Sequence, residues 1–326
     1  VARVAVVDRS QAAEARRAAS ALAQNAGLSS AAAGRIELIA TEAGNNLAAH
    51  TKGGEILVST RGTGPSACIE LLAIDKGPGM NIEKCLADGY STAGTRGAGL
   101  GAIKRAATDF DVYSRESGTI LFAAVCQEQP AVASTSVIGS ARAAKHGEKE
   151  CGDAWTFVQD RTALRIMLAD GLGHGEFAAE AAEKAASIFE SRRFDSAVEA
   201  VQELHKGLRG TRGAAIAVAY VSTVTKSVEY CGLGNISSSI WSDGKGQHMV
   251  SMNGTAGHEA YKIAPFRYSW TSAGYLLMHS DGLLSQCALD KHPGILRHHP
   301  SVIAGLLYRD YNRGRDDAMV VVARLV

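Results

Sequence analysis

The apolar and polar positions divide this chain into two stretches with different rhythms. Near the start, the apolar residues 4–7 read as a short strand. Residues 11–25 are rich in Ala, Arg and Glu, and Gly27 is placed to stop a helix there. Ser29 and Ser30 then cap a second helix over about 31–50, where Ile36, Ile39, Ala40, Ala43 and Leu47 recur at helical spacing. Lys52-Gly53-Gly54 reads as a turn. Strands are predicted over 55–60 and 67–74, a helix over about 100–108, and strands over 111–114 and 119–126. Helices that come first, followed by mostly antiparallel strands with one inserted helix, describe an α+β layer.

Residues 127–135 are polar and small and include Pro130, the composition of a linker. Beyond them the rhythm turns to strands: 137–143, 154–159, 164–169, 213–221, 227–231, 237–241, 274–279 and 318–325. Helical spacing returns at about 177–190, 194–208 and 299–311. That order suits a β-sandwich covered by helices. Two domains are therefore expected, 1–126 and 136–326.

Composition narrows the picture. The chain has 326 residues, enough for two cores, with 46% hydrophobic and 21% charged residues. A net charge of +1 supplies no field for nucleic acid or an anionic membrane, so neither is an expected partner. No apolar run is long enough to cross a bilayer. The six cysteines stand singly, without a Cys-x-x-Cys pair. Neither a zinc site nor a disulfide framework is expected, and a reducing, cytoplasmic setting is the reading. The chain opens on Val1 rather than Met, so part of the N-terminus is expected to lie upstream.

Two groups of residues carry candidate chemistry. In the second helix Glu42 and Asn46 are four apart and share a face, which His50 continues. Asp75-Lys76-Gly77-Pro78-Gly79-Met80 follows a strand, and Gly97-Ala98-Gly99-Leu100-Gly101 opens a helix. Glycines let backbone amides approach phosphates, and a helix N-terminus favours anions. Asp75 at a strand end can accept from an adenine amino group. Asn46 can offer a neutral oxygen to Mg²⁺, and Glu42 a carboxylate to a nucleophile. A single Gly-x-Gly-x-Gly is weak; the ordered set is stronger.

The second group lies at the ends of apolar runs. It comprises Cys151-Gly152-Asp153, Ala169-Asp170-Gly171-Leu172-Gly173-His174-Gly175, Ser280-Asp281-Gly282 and Arg315-Asp316-Asp317. Any one Asp-Gly is by default a turn. Four at strand ends place hard oxygens together, the need of a site where two divalent ions about 4 Å apart activate water against a phosphate ester. His174, His279 and the His298-His299 pair call for blander roles, the pair at the surface or at a helix start. Cys231, Cys287 and the three tryptophans read as packing.

These motifs carry two resemblances. Thr41-Glu42-Ala43-Gly44-Asn45-Asn46, the Asp75 motif and the Gly97 motif resemble the GHKL ATPase superfamily over roughly residues 1–126. Asp88-Gly89-Tyr90-Ser91-Thr92 is similar to its RsbT-type serine kinases of bacterial partner switching. The resemblance implies a Bergerat-type α/β sandwich that binds ATP and Mg²⁺. It gives Mg²⁺ to Asn46, adenine to Asp75 and catalysis to Glu42. Gly77, Gly79, Gly97, Gly99, Leu100, Gly101 and Thr119 would line the nucleotide.

The four carboxylate motifs resemble the SpoIIE-type branch of the PPM phosphatases, RsbX-like in compactness, over roughly 136–326. That resemblance implies an αββα sandwich with two Mn²⁺ or Mg²⁺ on Asp153, Asp170, Gly171, Asp281 and Asp316. Asp316 is preferred over Asp317, and Asp170 is catalytic. Together they imply a bifunctional switch: a kinase and a phosphatase acting on a STAS-domain phosphoprotein, with a sigma factor or anti-sigma protein downstream and homo-oligomers allowed. The alternative is a phosphatase whose first domain only senses ATP or holds a sigma or STAS protein. A scaffold with both sites inactive is a third reading, against which the intact carboxylates speak.

Overall fold

The computed structural model describes every residue except 63, 87–98, 128–136, 161, 271–272 and 326, and for 65 the backbone alone. The chain forms two compact units. The first joins residues 1–133 to 294–309, and the second joins 134–293 to 310–326.

In the first unit β1 (Ala2–Val6) leads into α1 (Arg9–Asn25), α2 (Ser30–His50), β2 (Gly54–Arg61) and β3 (Cys68–Asp75). The short α3 (Ile82–Leu86), α4 (Gly99–Ala106), β4 (Asp109–Arg115) and β5 (Gly118–Cys126) follow. The strands form one antiparallel sheet in the order β1-β2-β3-β5-β4. Asp8 caps α1 in a reciprocal box with Gln11, and Ser29 caps α2 through the Ala32 amide. The two helices cross closely at Gly44, where a Cβ would stand 2.6 Å from Cβ of Ala12. Gly44, inside the ATP-type motif, is therefore a packing residue. The helical faces bury Ala15, Ala19, Ile36, Ile39 and Ala43 against Ile56, Ile69, Leu71 and Leu121 of the sheet.

Every residue of β3 and β5 is buried, so both faces of the sheet centre are covered. The second cover is the far segment of the unit. The expected division at 127–135 assigned 294–309 to the second domain; here it packs on the first sheet because Leu72, Ile120 and Phe122 present an apolar face on that side. His299 stacks on Phe122 with ring centroids 4.4 Å apart. A Cβ at Gly305 would stand 2.9 Å from Cγ2 of Ile120. The Tyr308 hydroxyl donates to Glu55 at 3.1 Å. Asp111 of β4 accepts from the His299 amide at 2.6 Å and pairs with the His298 ring at 3.0 Å. These two histidines sit at a helix start, as one sequence reading had them, but not on an open surface.

Cys68 and Cys126 occupy paired positions on β3 and β5 and form a disulfide. This corrects the expectation of six separate thiols. Fifty-eight residues of sequence separate the two, so only strand pairing brings them together.

The second unit is a two-sheet sandwich built from β6 (Ile138–Ala143), β7 (Asp153–Gln159), β8 (Ala163–Gly171), α5 (Glu176–Ser191), α6 (Ala197–Gly207), β9 (Ala214–Ser222), β10 (Ser227–Leu233), β11 (Ser237–Ser242), β12 (Lys245–His248), β13 (Ser251–Met252), β14 (Phe266–Ser269) and β15 (Gly274–His279). α7 (Pro300–Tyr311) begins in the first unit and ends in the second, and β16 (Ala318–Leu325) completes the sandwich. One sheet runs β13-β10-β9-β8-β7 with β14 beside β10; the other runs β12-β11-β15-β16-β6. Leu164, Ile166, Leu168 and Tyr230 meet Leu276, Met278, Val321 and Ala323 in one core. Alanine faces of α5 and α6 close the outer side of the first sheet around Phe189, Phe194, Ile216 and Val218. The sequence predicted the long strands and helices; β12, β13 and β14, of two to four residues, are too short for periodicity to show. Among the described residues, no helix is long and apolar enough to cross a membrane.

Asp111→Ala should loosen the start of α7. Burial pushes the Asp111 carboxyl up, but the His298 hydrogen bond and the His299 amide outweigh it and hold it below its ordinary value. A depressed carboxyl stabilises above its unfolded pKa and loses that contribution as pH falls through its folded one. The variant should lose about 1 kcal/mol at pH 6, as lost helix caps do. The difference from wild type should shrink below about pH 4 in urea titrations across pH.

Candidate functional site: a nucleotide cradle and a carboxylate cluster

In the first unit, Glu42 and Asn46 lie on α2 facing the first turn of α4. A Cβ on Gly99 would stand 3.1 Å from Oε2 of Glu42 and 3.3 Å from Oδ1 of Asn46. Gly99 thus brings a helix N-terminus against both polar side chains. Leu100 and Gly101 continue α4 and are buried. Asp75 ends β3, and its Oδ1 accepts from the amides of Gly77 at 2.7 Å and Thr119 at 3.2 Å. Burial raises the Asp75 carboxyl above its usual value, against the pull of those two amides. Gly77 stands close to Thr51, the C-cap of α2. Gly79 is glycine for two reasons: its φ is 75°, and a Cβ would lie 2.2 Å from the carbonyl oxygen of Arg115. Ser114 ties the strands together by bonding the Met80 amide and the Thr119 hydroxyl. An open cleft of about 690 Å³ runs between residues 78–81 and 114–117. His50 is exposed at the end of α2. Gly97 and residues 88–92 lie outside the described residues.

In the second unit, Asp153 and Asp170 are paired across β7 and β8. Asp153 is buried; its Oδ2 accepts from the Ser280 hydroxyl at 2.7 Å, while its Oδ1 is buried without a partner. Ser280 also accepts from the Met319 amide, joining β7 to β16. The Asp281 amide donates to the Asp170 carboxylate, and Asp281 accepts from Asn235 at 2.7 Å. Asp317 accepts from the amides of Lys145 and Gly152 at 2.8 and 3.0 Å. Two backbone donors thus use the Asp317 carboxylate; the half-buried Asp316 acts on both Asp170 and Asp281, while Asp317 acts on Asp153 and Asp170.

The glycines beside these carboxylates are not turn glycines. A Cβ on Gly171 would lie 2.1 Å from the Ala178 carbonyl oxygen, and one on Gly282 would lie 1.9 Å from that of Asp317. Neither has a positive φ. They are there because backbones touch, which is how the strand ends come near enough for their charges to interact. Burial pushes Asp170 up to about 7, and Asp281 and Asp316 push the same way. Burial and then Asp170 raise Asp153 well above the carboxylate range. Burial followed by Asp316 raises Asp281.

Among the described residues, no three Asp, Glu, His or Cys side chains close into a ready cage for an ion. The donors nonetheless suit a divalent cation. They are all hard oxygens, they repel one another, and one is a buried carboxylate oxygen with nothing to accept from. His174 bonds Glu148 at 2.6 Å, and the buried His279 turns Nδ1 to the Ser280 carbonyl. Their hydrogen bonds thus go elsewhere, although His174 stands near enough to Asp317 to favour its charged form. Cys231 and Cys287 are buried, and Trp155 stacks on Phe157. Sequence reasoning missed Ser280 and Asn235 as carboxylate partners, although Ser280 stands inside a quoted motif.

An antiparallel sandwich with acidic strand ends, joined to a helix-backed sheet with a glycine-rich nucleotide cradle, is a PP2C-like phosphatase fold attached to a GHKL-like ATPase fold. The family models agree. Residues 160–326, more than half of the chain, match Stage II sporulation protein E (SpoIIE), and the chain belongs to that family. Asp153 precedes the matched span. Residues 6–124 match the histidine kinase-like ATPase domain.

The serine/threonine-protein kinase RsbT of Bacillus subtilis (strain 168) is 32% identical over 81 residues, 24% of this chain. The chain spans 61% of that relative's length. A solved structure described as the bacterial stressosome, a modular system adapted to control secondary messenger signaling, is 29% identical, with a TM-score of 0.55. It covers 58% of this chain and 100% of its own. RsbX in complex with magnesium is 20% identical, with a TM-score of 0.50 over 61% of this chain and 98% of its own, a likeness of fold. The protein therefore carries an ATPase-type domain and a PPM-type phosphatase domain, folds that work with ATP and with divalent metal.

Asp170→Asn removes one of the repelling charges. The variant is expected to melt a few degrees above wild type in EDTA, at roughly 2–4 °C per kcal/mol for this size of domain. Mn²⁺ is expected to raise the melting temperature of wild type and to raise that of the variant much less. Calorimetry with and without Mn²⁺ reads both.

Proposed function

We propose that the protein is a two-activity regulator of a phosphoprotein: a metal-dependent phosphoserine/phosphothreonine phosphatase joined to an ATP-dependent serine kinase. The observation that carries the phosphatase half is the buried Asp153 oxygen without a partner, set opposite Asp170 in a group of mutually repelling carboxylates. Asp153, Asp170, Asp281 and Asp316, with the Gly171 carbonyl, would hold two Mn²⁺ or Mg²⁺. Such ions supply Lewis acidity and a more acidic water at neutral pH.

The protein's own groups set the stage for hydrolysis. Ser280 fixes Asp153, Asn235 fixes Asp281, and the Asp281 amide fixes Asp170. In the reaction a water oxygen joins phosphorus, the bond from phosphorus to the serine Oγ breaks, and that oxygen takes a proton.

The kinase half rests on Glu42 and Asn46 at the first turn of α4. Asn46 would hold Mg²⁺ with ATP. Asp75, whose Oδ1 is taken by amides, would accept the adenine amino group on Oδ2. Glu42 would take the proton of the attacking serine hydroxyl as the serine oxygen joins the γ-phosphorus and the bond from that phosphorus to the β–γ bridging oxygen breaks, releasing ADP. The likeness to RsbT and to the stressosome structure supports a partner-switching role, and we assign a STAS-domain protein as the phosphorylated partner, with a sigma factor or its antagonist as the output. Residues 1–126 and 136–326 are taken as the two catalytic domains, with 294–309 serving the first as cover.

The test follows phosphate. The protein is incubated with γ-labelled ATP, Mg²⁺ and a STAS partner, then Mn²⁺ is added, for wild type, Glu42→Ala and Asp170→Ala. Label that enters the partner, persists only with Asp170→Ala and never appears with Glu42→Ala supports both activities. If no label enters but wild type clears pre-phosphorylated partner, the first domain is an ATP sensor or binder and the kinase half is dropped.

A further inference from the structure

Beside the carboxylate cluster stands a cleft that carries an arginine, Arg212, which none of the motifs above contains. Strand pairing sets Gly171 opposite Ala214, and the Leu172 amide donates to the Gly213 carbonyl at 3.0 Å. Arg212, the next residue outward, therefore lies at the rim where Asp170 and Gly171 emerge. Its guanidinium carbon stands 5.1 Å from the centre of the Phe177 ring. A Cβ on Gly173, whose φ is 87°, would lie 3.1 Å from Nη1. The Arg212 carbonyl takes a hydrogen bond from the His258 ring at 2.9 Å, which fixes the backbone beneath it.

Arg212 lines a cleft of about 370 Å³ with Leu172, Thr255, His258 and Glu259. Glu259 accepts from the Tyr261 hydroxyl. Among the described residues, no carboxylate forms an ion pair with the Arg212 guanidinium.

An exposed arginine is usually a solvated surface group. This one differs in three ways. It is held against an aromatic face, so less side-chain freedom is lost when it binds. It lies beside the first turn of α5, a 16-residue helix whose N-cap, Gly175, gives no side-chain hydrogen bond, so the helix end adds positive potential. It also stands at the mouth of a site whose own side chains are acidic and would repel a phosphate dianion. A fixed guanidinium presents two parallel donors that match two oxygens of a phosphoryl group.

We propose that Arg212, braced by Phe177, binds the non-bridging oxygens of the substrate's phosphoryl group and positions it over the carboxylate cluster. The proposal rests on the phosphatase reading above and deepens it. The substrate class is a phosphate monoester presented on an exposed serine or threonine, and Leu172, Phe177 and the cleft floor are open to the chain that carries it.

The experiment measures Mn²⁺-dependent hydrolysis of p-nitrophenyl phosphate and of a phosphoserine peptide, with inhibition by inorganic phosphate. Wild type, Arg212→Gln, Arg212→Lys and Phe177→Ala are compared, with melting temperatures as a check on folding. In Arg212→Gln we expect KM for both substrates and the inhibition constant of phosphate to rise about tenfold, as loss of a hydrogen bond to a charged group implies, with a smaller fall in kcat. Arg212→Lys should recover part of the loss, Phe177→Ala should show a milder rise in KM, and melting should be unchanged.

A rise confined to the peptide, with p-nitrophenyl phosphate and inorganic phosphate unaffected, overturns the proposal in favour of a contact to the peptide chain. Unchanged constants for all three probes in an active, folded Arg212→Gln overturn it as well. A wild type without Mn²⁺-dependent hydrolysis of either substrate overturns the phosphatase reading and this proposal with it.

Discussion

The second unit depends on holding like charges together. Asp153, Asp170, Asp281 and Asp316 come from four separate stretches of chain, and carboxylates brought together there make Asp153, Asp170 and Asp281 harder to ionise. Carboxylates brought together this way cost stability unless something binds them. The fold meets the cost with backbone. Gly171 and Gly282 let main chains touch, the Asp281 amide serves Asp170, and two amides serve Asp317. The sandwich core of Leu164, Ile166, Leu276 and Val321 makes that geometry rigid enough to persist against the repulsion. Stability is spent at one place so that strongly charged ligands can be held there.

The first unit solves a different problem. A sheet whose central strands are buried on both faces needs two covers, and α1 with α2 provide only one. The second cover arrives from residue 294 onward, after the chain has built most of the other unit. Asp111, through the amide and ring of two consecutive histidines, fixes where that segment begins its helix. β3 and β5 were legible in the sequence as strands of mostly apolar residues. The second cover was not, because the segment that supplies it lies more than 160 residues further along the chain and no local spacing ties it to these strands.

The site was legible to the extent that its chemistry is written in short motifs. Glu42 and Asn46 share a face of α2, so local spacing was enough to pair them, whereas Gly99 joined them only through the order of the motifs. The four Asp motifs were visible as strand ends beside glycines. Their glycines suggested turns, however, and only the touching backbones show why glycine is needed. Ser280, Asn235 and the Cys68–Cys126 bond depend on strand register between distant stretches, which no spacing encodes. Arg212 was invisible for a further reason: one arginine before an apolar strand is ordinary, and its meaning comes from Phe177 and Gly173, 35 and 39 residues away in sequence.

Under the proposed function, one chain that adds and removes the same phosphate would have a consequence that separate enzymes lack. The two activities would be present in fixed ratio, so a change in the amount of this protein would speed or slow the cycle without moving its balance. The phosphorylated fraction of the partner would then be set by quantities that act on the two proposed sites unequally. ATP would act on the cradle around Asn46 and Asp75, and free divalent metal would act most strongly where charge is most concentrated, at Asp153 and Asp170. Because the carboxylates are held as repelling neighbours rather than a closed cage, metal would supply the energy that completes that site. The proposed phosphatase half would then be the one more sensitive to ion availability, while the proposed kinase half, whose cradle gathers less charge, would answer chiefly to the Mg²⁺-bound nucleotide.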